Sequence, residues 1–113
     1  MHEVAIMTEA VRMAVESARA AGATRITTLT LRVGALSGAD PEAMRFAWDV
    51  VTEATMAAGA QLVIEPVPAV AWCTNCQREF PMPRFYGECP QCRGLADKLR
   101  RGRELEIGAV EVE

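Results

Sequence analysis

The chain has 113 residues, which bounds a single compact unit with at most a small satellite. Half of its residues are apolar, which excludes general disorder, and neither repeats nor low-complexity segments occur. A net charge of −3 argues against a primary role on nucleic acid, and no run is long enough to span a membrane.

From Val4 to Ala21 the residues Val4, Met7, Val11, Ala14, Val15 and Ala18 recur at the spacing of one helical face. Gly22 is placed to end that helix, and Met7 and Met13 are expected to fill core. Thr24 to Val33 predicts a strand, because Leu29, Leu31 and Val33 alternate with Thr28, Thr30 and Arg32. After a break at Gly34, Ser37 and Gly38, Asp40 reads as an N-cap, with Pro41 at the first helical position and Glu42 in the first turn. This second helix is expected to run to about Ala58, with Met44, Trp48, Val51 and Thr55 on one stripe and Gly59 closing it. Gln61 to Pro66 predicts a second strand, and Pro66 and Pro68 mark its exit.

Near the other end, Leu105 and Ile107 alternate with Glu104 and Glu106, and Val110 and Val112 with Glu111 and Glu113. The phase slips by one residue across Gly108-Ala109, which predicts a third strand with a glycine-assisted bulge. The expected fold class is α+β: two helices packed on a three-stranded sheet, with a zinc-ribbon-like module inserted between two of the strands. The expected boundaries are 1–68 together with 102–113 for the α+β domain and 69–101 for the insertion.

All four cysteines lie in that insertion, as Cys73-x-x-Cys76 and Cys89-x-x-Cys92. A Cys-x-x-Cys turn aims two sulfurs at one point, and two facing turns make the tetrahedron that zinc prefers. Pro90 stiffens the second turn, and Gly87 and Gly94 flank it where sharp bends are expected. The competing reading is a pair of disulfides in a secreted protein. Glu3, Glu9, Arg12 and Glu16 leave no apolar stretch to serve as a signal peptide, so a reducing, cytoplasmic setting is expected. Zinc is the expected ion, with iron in a thiolate site as the alternative. Four thiolates would saturate zinc and leave no open position for water or substrate, so the site reads as structural. The apolar residues around it are scattered (Trp72, Phe80, Phe85, Tyr86, Leu95 and Leu99), too few for a core without metal.

The one histidine, His2, stands beside the amino terminus. The terminal amine of Met1, the His2 amide nitrogen and the His2 Nδ1 can chelate one ion through fused small rings once the amide loses its proton. Glu3 or an outside ligand could take a fourth position. Such a nitrogen-rich, tetragonal set suits nickel(II) or copper(II) rather than zinc. At a frayed chain end exchange should be easy, so the set reads as a transfer site.

Charge is uneven. Arg78, Arg84, Arg93, Lys98, Arg100, Arg101 and Arg103 face only Glu79, Glu88 and Asp97 between Ala69 and Arg103. That excess keeps a nucleic-acid-binding zinc ribbon or a protein adaptor open as an alternative, although aromatic residues show no stacking pattern. No Ser/His/Asp set and no phosphate-cradling glycine loop points to an enzyme.

Taken together, the residues resemble the HypA/HybF family of hydrogenase nickel-incorporation proteins over essentially the whole length. The resemblance rests on Met1-His2-Glu3, on Arg32-Val33-Gly34-Ala35-Leu36-Ser37-Gly38 followed by Pro41-Glu42, and on Gly59-Ala60-Gln61-Leu62. It continues through Cys73-x-x-Cys76, Cys89-Pro90-x-Cys92, Gly102-Arg103-Glu104-Leu105 and the closing Val110-Glu111-Val112-Glu113. The resemblance implies a metallochaperone, not an enzyme, with nickel at Met1, His2 and Glu3 and structural zinc at Cys73, Cys76, Cys89 and Cys92. It implies delivery towards the large subunit of [NiFe]-hydrogenase together with the nickel GTPase HypB, and in some organisms service to urease maturation. No membrane or nucleic-acid partner is implied. Arg93 departs from the glycine common in relatives, and no histidine flanks the cysteines.

Overall fold

The computed structural model describes residues 2–82, 87–96 and 98–113. Along the chain run α1 (His2–Ala20), β1 (Ile26–Gly34), α2 (Pro41–Thr52), β2 (Gln61–Val67), β3 (Val70–Cys73), β4 (Arg78–Pro81), β5 (Lys98–Arg101) and β6 (Leu105–Val112). Strands β2, β1 and β6, in that order, form one three-stranded sheet, and β4, β3 and β5 form another. The class is α+β, as the sequence predicts. The second sheet, built from four-residue strands of which the two outer ones are rich in charge, was not read from the sequence. No helix among the described residues is long and apolar enough to cross a membrane.

Two compact units result. A helical unit holds Met1–Arg32, Ala39–Glu65 and Glu106–Glu113, and a cysteine unit holds Val33–Gly38 and Pro66–Leu105. Eleven acidic and five basic residues fall in the helical unit, four and seven in the cysteine unit, giving net charges of −6 and +3.

In the helical unit α1 buries Met7, Ala10, Val11, Ala14 and Ala18, and α2 buries Met44, Ala47, Trp48 and Thr52. Ile26, Leu29 and Leu31 are the buried residues of β1 in this unit. Met13 is not core but half exposed, since it falls off the buried face of α1. The Trp48 indole donates to the Ala60 carbonyl at 2.8 Å, so its one polar atom is satisfied inside the core. Arg32 fastens the sheet from its centre, with its guanidinium 2.7 Å from Glu106 and 3.5 Å from Glu65 on the flanking strands. A side chain at Gly108 would crowd the stem of Arg32. Ile107 and Val110, three residues apart, are the half-buried positions of β6, so its inward phase does change across Gly108-Ala109.

Helix α2 begins as predicted: Asp40 is its N-cap, accepting from the Glu42 amide at 3.0 Å, and Pro41 follows. It ends at Thr52, six residues short of the expected Ala58. Threonine hydroxyls bond to the backbone at and beyond this end. Thr52 Oγ1 donates to the Trp48 carbonyl and Thr55 Oγ1 to the Thr52 carbonyl, both at 2.8 Å, and Thr55 Oγ1 accepts from the Ala57 amide. Short turns then carry the chain to Ala60.

The cysteine unit buries Leu36, Ala69, Ala71, Cys73, Phe80, Met82 and Cys89, with Cys76, Cys92, Ala96 and Leu99 packed against them. Leu95, counted among the apolar residues of this segment, is exposed instead; Phe85 and Tyr86 lie outside the described residues. Two stretches that are far apart in sequence meet here. The Gly34 amide donates to the Glu104 carbonyl at 2.6 Å and the Leu36 amide to the Gly102 carbonyl at 2.7 Å. A Cβ on Gly34 would strike the Gly102 backbone, and Gly102 itself sits at φ +124 with Ala69 against it. Both glycines are therefore required by close approach of backbone to backbone.

Candidate metal centres

The two Cys-x-x-Cys turns are built alike. In each, the amide after the second cysteine closes on the carbonyl of the first: Gln77 on Cys73 and Arg93 on Cys89, both at 2.8 Å. Gln77 and Arg93 accordingly take left-handed backbone, at φ 55 and φ 65. The sharp bends thus fall on these two residues rather than on Gly87 and Gly94. Arg93 occupies a position that a glycine would fill without strain. Arg78 donates to the Gln91 side chain at 2.6 Å, tying one turn to the other.

All four sulfurs lie within 4.8 Å of one another. Cys73 Sγ is 3.6 Å from Cys92 Sγ, and Cys89 Sγ is 3.8 Å from Cys76 Sγ. A disulfide would need sulfurs about 2.05 Å apart, so these thiols are free. Four sulfurs about 2.3 Å from one ion in a tetrahedron stand about 3.8 Å apart, so the donor set fits zinc in both chemistry and spacing.

Electrostatics favour the same conclusion. The Gly94 amide, 3.4 Å from Cys92 Sγ, and then the Asn75 side chain bring the Cys92 pKa down to about 6. The Cys92 and Gln91 backbone amides likewise hold Cys89 below its ordinary value, although burial opposes them. Burial and the three other thiols push Cys76 up to about 12. At Cys73 the Cys76 amide lowers the pKa, but burial and the Cys92 and Cys89 thiols outweigh it and leave it raised. Without a cation these groups cannot all ionise in so small a space; a dication lets all four become thiolate.

At the other candidate site, His2 and Glu3 occupy the first turn of α1 rather than a loose chain end. Met1, the third residue expected there, lies outside the described residues. Amides of a first turn have no acceptor within the helix, which leaves the His2 amide nitrogen available. His2 Nδ1 lies 3.5 Å from Glu3 Oε2, with the His2 side chain 64% exposed and that of Glu3 16%. The same Glu3 oxygen accepts from the Asp40 amide at 3.2 Å. That amide, first of all, and then Glu3's own hold its carboxyl below the ordinary range. Sequence reasoning saw Asp40 only as a helix cap. Its tie to Glu3 spans 37 positions, and no local pattern signals it.

The family model described as "Hydrogenase/urease nickel incorporation, metallochaperone, hypA" matches residues 1–112. A hydrogenase maturation factor HypA from a Picosynechococcus species is 46% identical over 112 residues, covering 99% of each chain. Its counterpart from Chloroflexus aurantiacus is 41% identical over 113 residues, covering 98% of each. Among solved structures, the solution structure of a HypA protein matches with a TM-score of 0.71 at 22% identity, covering 100% of this chain and 97% of that one. The solution structure of the Ni metallochaperone HypA from Helicobacter pylori matches at 0.66 and 19%, covering 97% and 96%. These two likenesses show the fold; the family model and the sequence relatives show the lineage. The chain belongs to the HypA family of hydrogenase maturation factors and nickel metallochaperones.

Proposed function

We propose that this chain carries nickel(II) for the maturation of [NiFe]-hydrogenase, and of urease where the organism makes it. Nickel is the cargo and enters as a substrate. Its donors are the Met1 amine, the His2 amide nitrogen and His2 Nδ1, with the Glu3 carboxylate beside them. The observation that carries this reading is the placement of His2 Nδ1 and Glu3 Oε2, 3.5 Å apart, in the first turn of α1. Preference for nickel over copper rests on the family, since the donor set suits both.

The chemistry is ligand exchange. On binding, the His2 amide gives its proton to solvent and becomes an anionic donor, a change that the positive end of the helix dipole favours. His2 Nδ1 turns from Glu3 to the metal. On release, the ligands of the receiving protein displace these donors stepwise, and the amide regains its proton. The proposed partners are the nickel GTPase HypB and the hydrogenase large subunit, in the cytoplasm. Cys73, Cys76, Cys89 and Cys92 would hold a resident zinc. The ion's contribution is charge and cross-linking, and with four thiolates it offers no site for chemistry.

A nickel titration of zinc-loaded protein with its native amino terminus, beside His2→Ala and a variant with one residue added before Met1, tests this. Stoichiometric binding lost in both variants, with zinc content unchanged, is the expected result. Equal binding by all three proteins would remove the terminal chelate.

A further inference from the structure

Helix α2 buries one face and leaves another bare. Phe46 is 86% exposed and Val50 71%, although both are apolar and four residues apart on one stripe. An isolated apolar residue in water is ordinary, but an aromatic ring and a branched aliphatic side by side form a patch that burial would stabilise. Glu42, Asp49 and Glu53 stand on the same stripe, at i−4, i+3 and i+7 from Phe46, and all are exposed. Helical backbone persists through Glu53, at φ −48 and ψ −41. Phe46 lies six residues, roughly 9 Å of helix rise, from Asp40. The Asp40 amide is the one bonded to Glu3, so the bare stripe lies on the helix whose N-cap is tied to the proposed nickel site, in the same unit.

Charge selects the occupant. A nucleic acid or an anionic membrane would bring phosphates against three carboxylates in a unit of net charge −6. Two copies paired through this stripe about a two-fold axis would set Glu42, Asp49 and Glu53 against one another. An apolar recess rimmed by lysine or arginine satisfies both the ring and its frame. We infer that the Phe46–Val50 stripe, framed by Glu42, Asp49 and Glu53, is the docking surface for a basic-rimmed apolar recess on the protein that exchanges nickel with this chain. The inference rests on the nickel-carrier reading and adds where the partner sits. Phe46 is the anchor, and the carboxylates steer the encounter and set its register.

The test uses full-length, zinc- and nickel-loaded protein, the double variant Phe46→Ser/Val50→Ser and the charge reversal Glu42→Lys/Asp49→Lys/Glu53→Lys. Helicity, nickel stoichiometry and binding to purified HypB and purified hydrogenase large subunit are measured for each. The expected result is unchanged helicity and nickel binding, with affinity for one of the two proteins lowered about tenfold or more by the double variant. The charge reversal is expected to slow association with that protein, most at low salt. Unchanged affinity of the double variant for both proteins, or no binding of either by the unsubstituted protein, overturns the surface. Loss of a self-associated form in sedimentation, with both partner affinities intact, also overturns it by making the occupant a second copy. Absence of nickel binding by the unsubstituted protein would instead bring down the carrier reading, so the two failures are separable.

Discussion

The four sulfurs of the cysteine unit come from two turns, each closed by its own backbone hydrogen bond and joined by Arg78 and Gln91. His2 and Glu3, by contrast, stand in one helical turn, with the imidazole largely in water. Donors fixed from two sides, two of them buried, make a place where an ion stays. Donors at the end of one helix, reachable by a partner's ligands, make a place from which an ion leaves. Charge follows the same division, since the unit that would surrender a cation is acidic and the unit that would keep one is basic. On the proposed reading, residence and transfer would be separated by architecture as well as by ligand chemistry.

That contrast can be broken most forcefully at the cysteines. Cys89→Ser, at a fully buried thiol, should release zinc and unfold the cysteine unit. Structural zinc of this kind contributes on the order of 10–16 kcal/mol. Helical circular dichroism from α1 and α2 should survive while amide protection is lost over β3, β4 and β5. The reverse experiment is Met44→Ala in the helical unit, a fully buried side chain. It should cost about 2–5 kcal/mol of that unit's stability, read by denaturant melts of helicity, and leave zinc content untouched.

Smaller changes sharpen the contrast within the cysteine unit. Arg93→Gly relieves a left-handed residue and should stabilise the unit by about 1 kcal/mol, seen as slower zinc loss to a chelator. Glu79 gives the smallest effect, through pH. Arg101 donates to it at 2.8 and 3.2 Å and holds its carboxyl below the ordinary range. A depressed carboxyl stabilises above its unfolded pKa and loses that contribution as pH falls through the folded value. The stability gap between the native protein and Glu79→Gln should therefore be full near neutrality and close on acidification, in melts followed across the carboxylate range.

Much of this was legible because local rules carried it. Asp40-Pro41-Glu42 specified a helix start, the β1 alternation a strand, and the cysteine spacing a four-sulfur cluster. What failed to show depended on groups distant in sequence or on competition within the backbone. α2 stops at Thr52, and beyond it Thr55 Oγ1 donates to the Thr52 carbonyl and accepts from the Ala57 amide, a turn that apolar periodicity does not register. The left-handed sites at Gln77 and Arg93 were masked because neither is a glycine. Leu36, carried in the break after β1, joins the cysteine unit's core, which no pattern around the cysteines could reveal. At the proposed nickel site the sequence offered His2 and Glu3 as candidate donors, but not the fastening of Glu3 to the Asp40 amide. The ties that hold the candidate site in place are long-range even though its donors are neighbours.

The separation of resident from cargo metal is tested most directly by one competition experiment. Protein loaded with both nickel and zinc is mixed with excess chelator, and the two metals and the helical signal are followed together in time. The account predicts that nickel leaves first and completely while zinc and helicity persist. Departure of zinc before nickel, or of both at one rate, would contradict it.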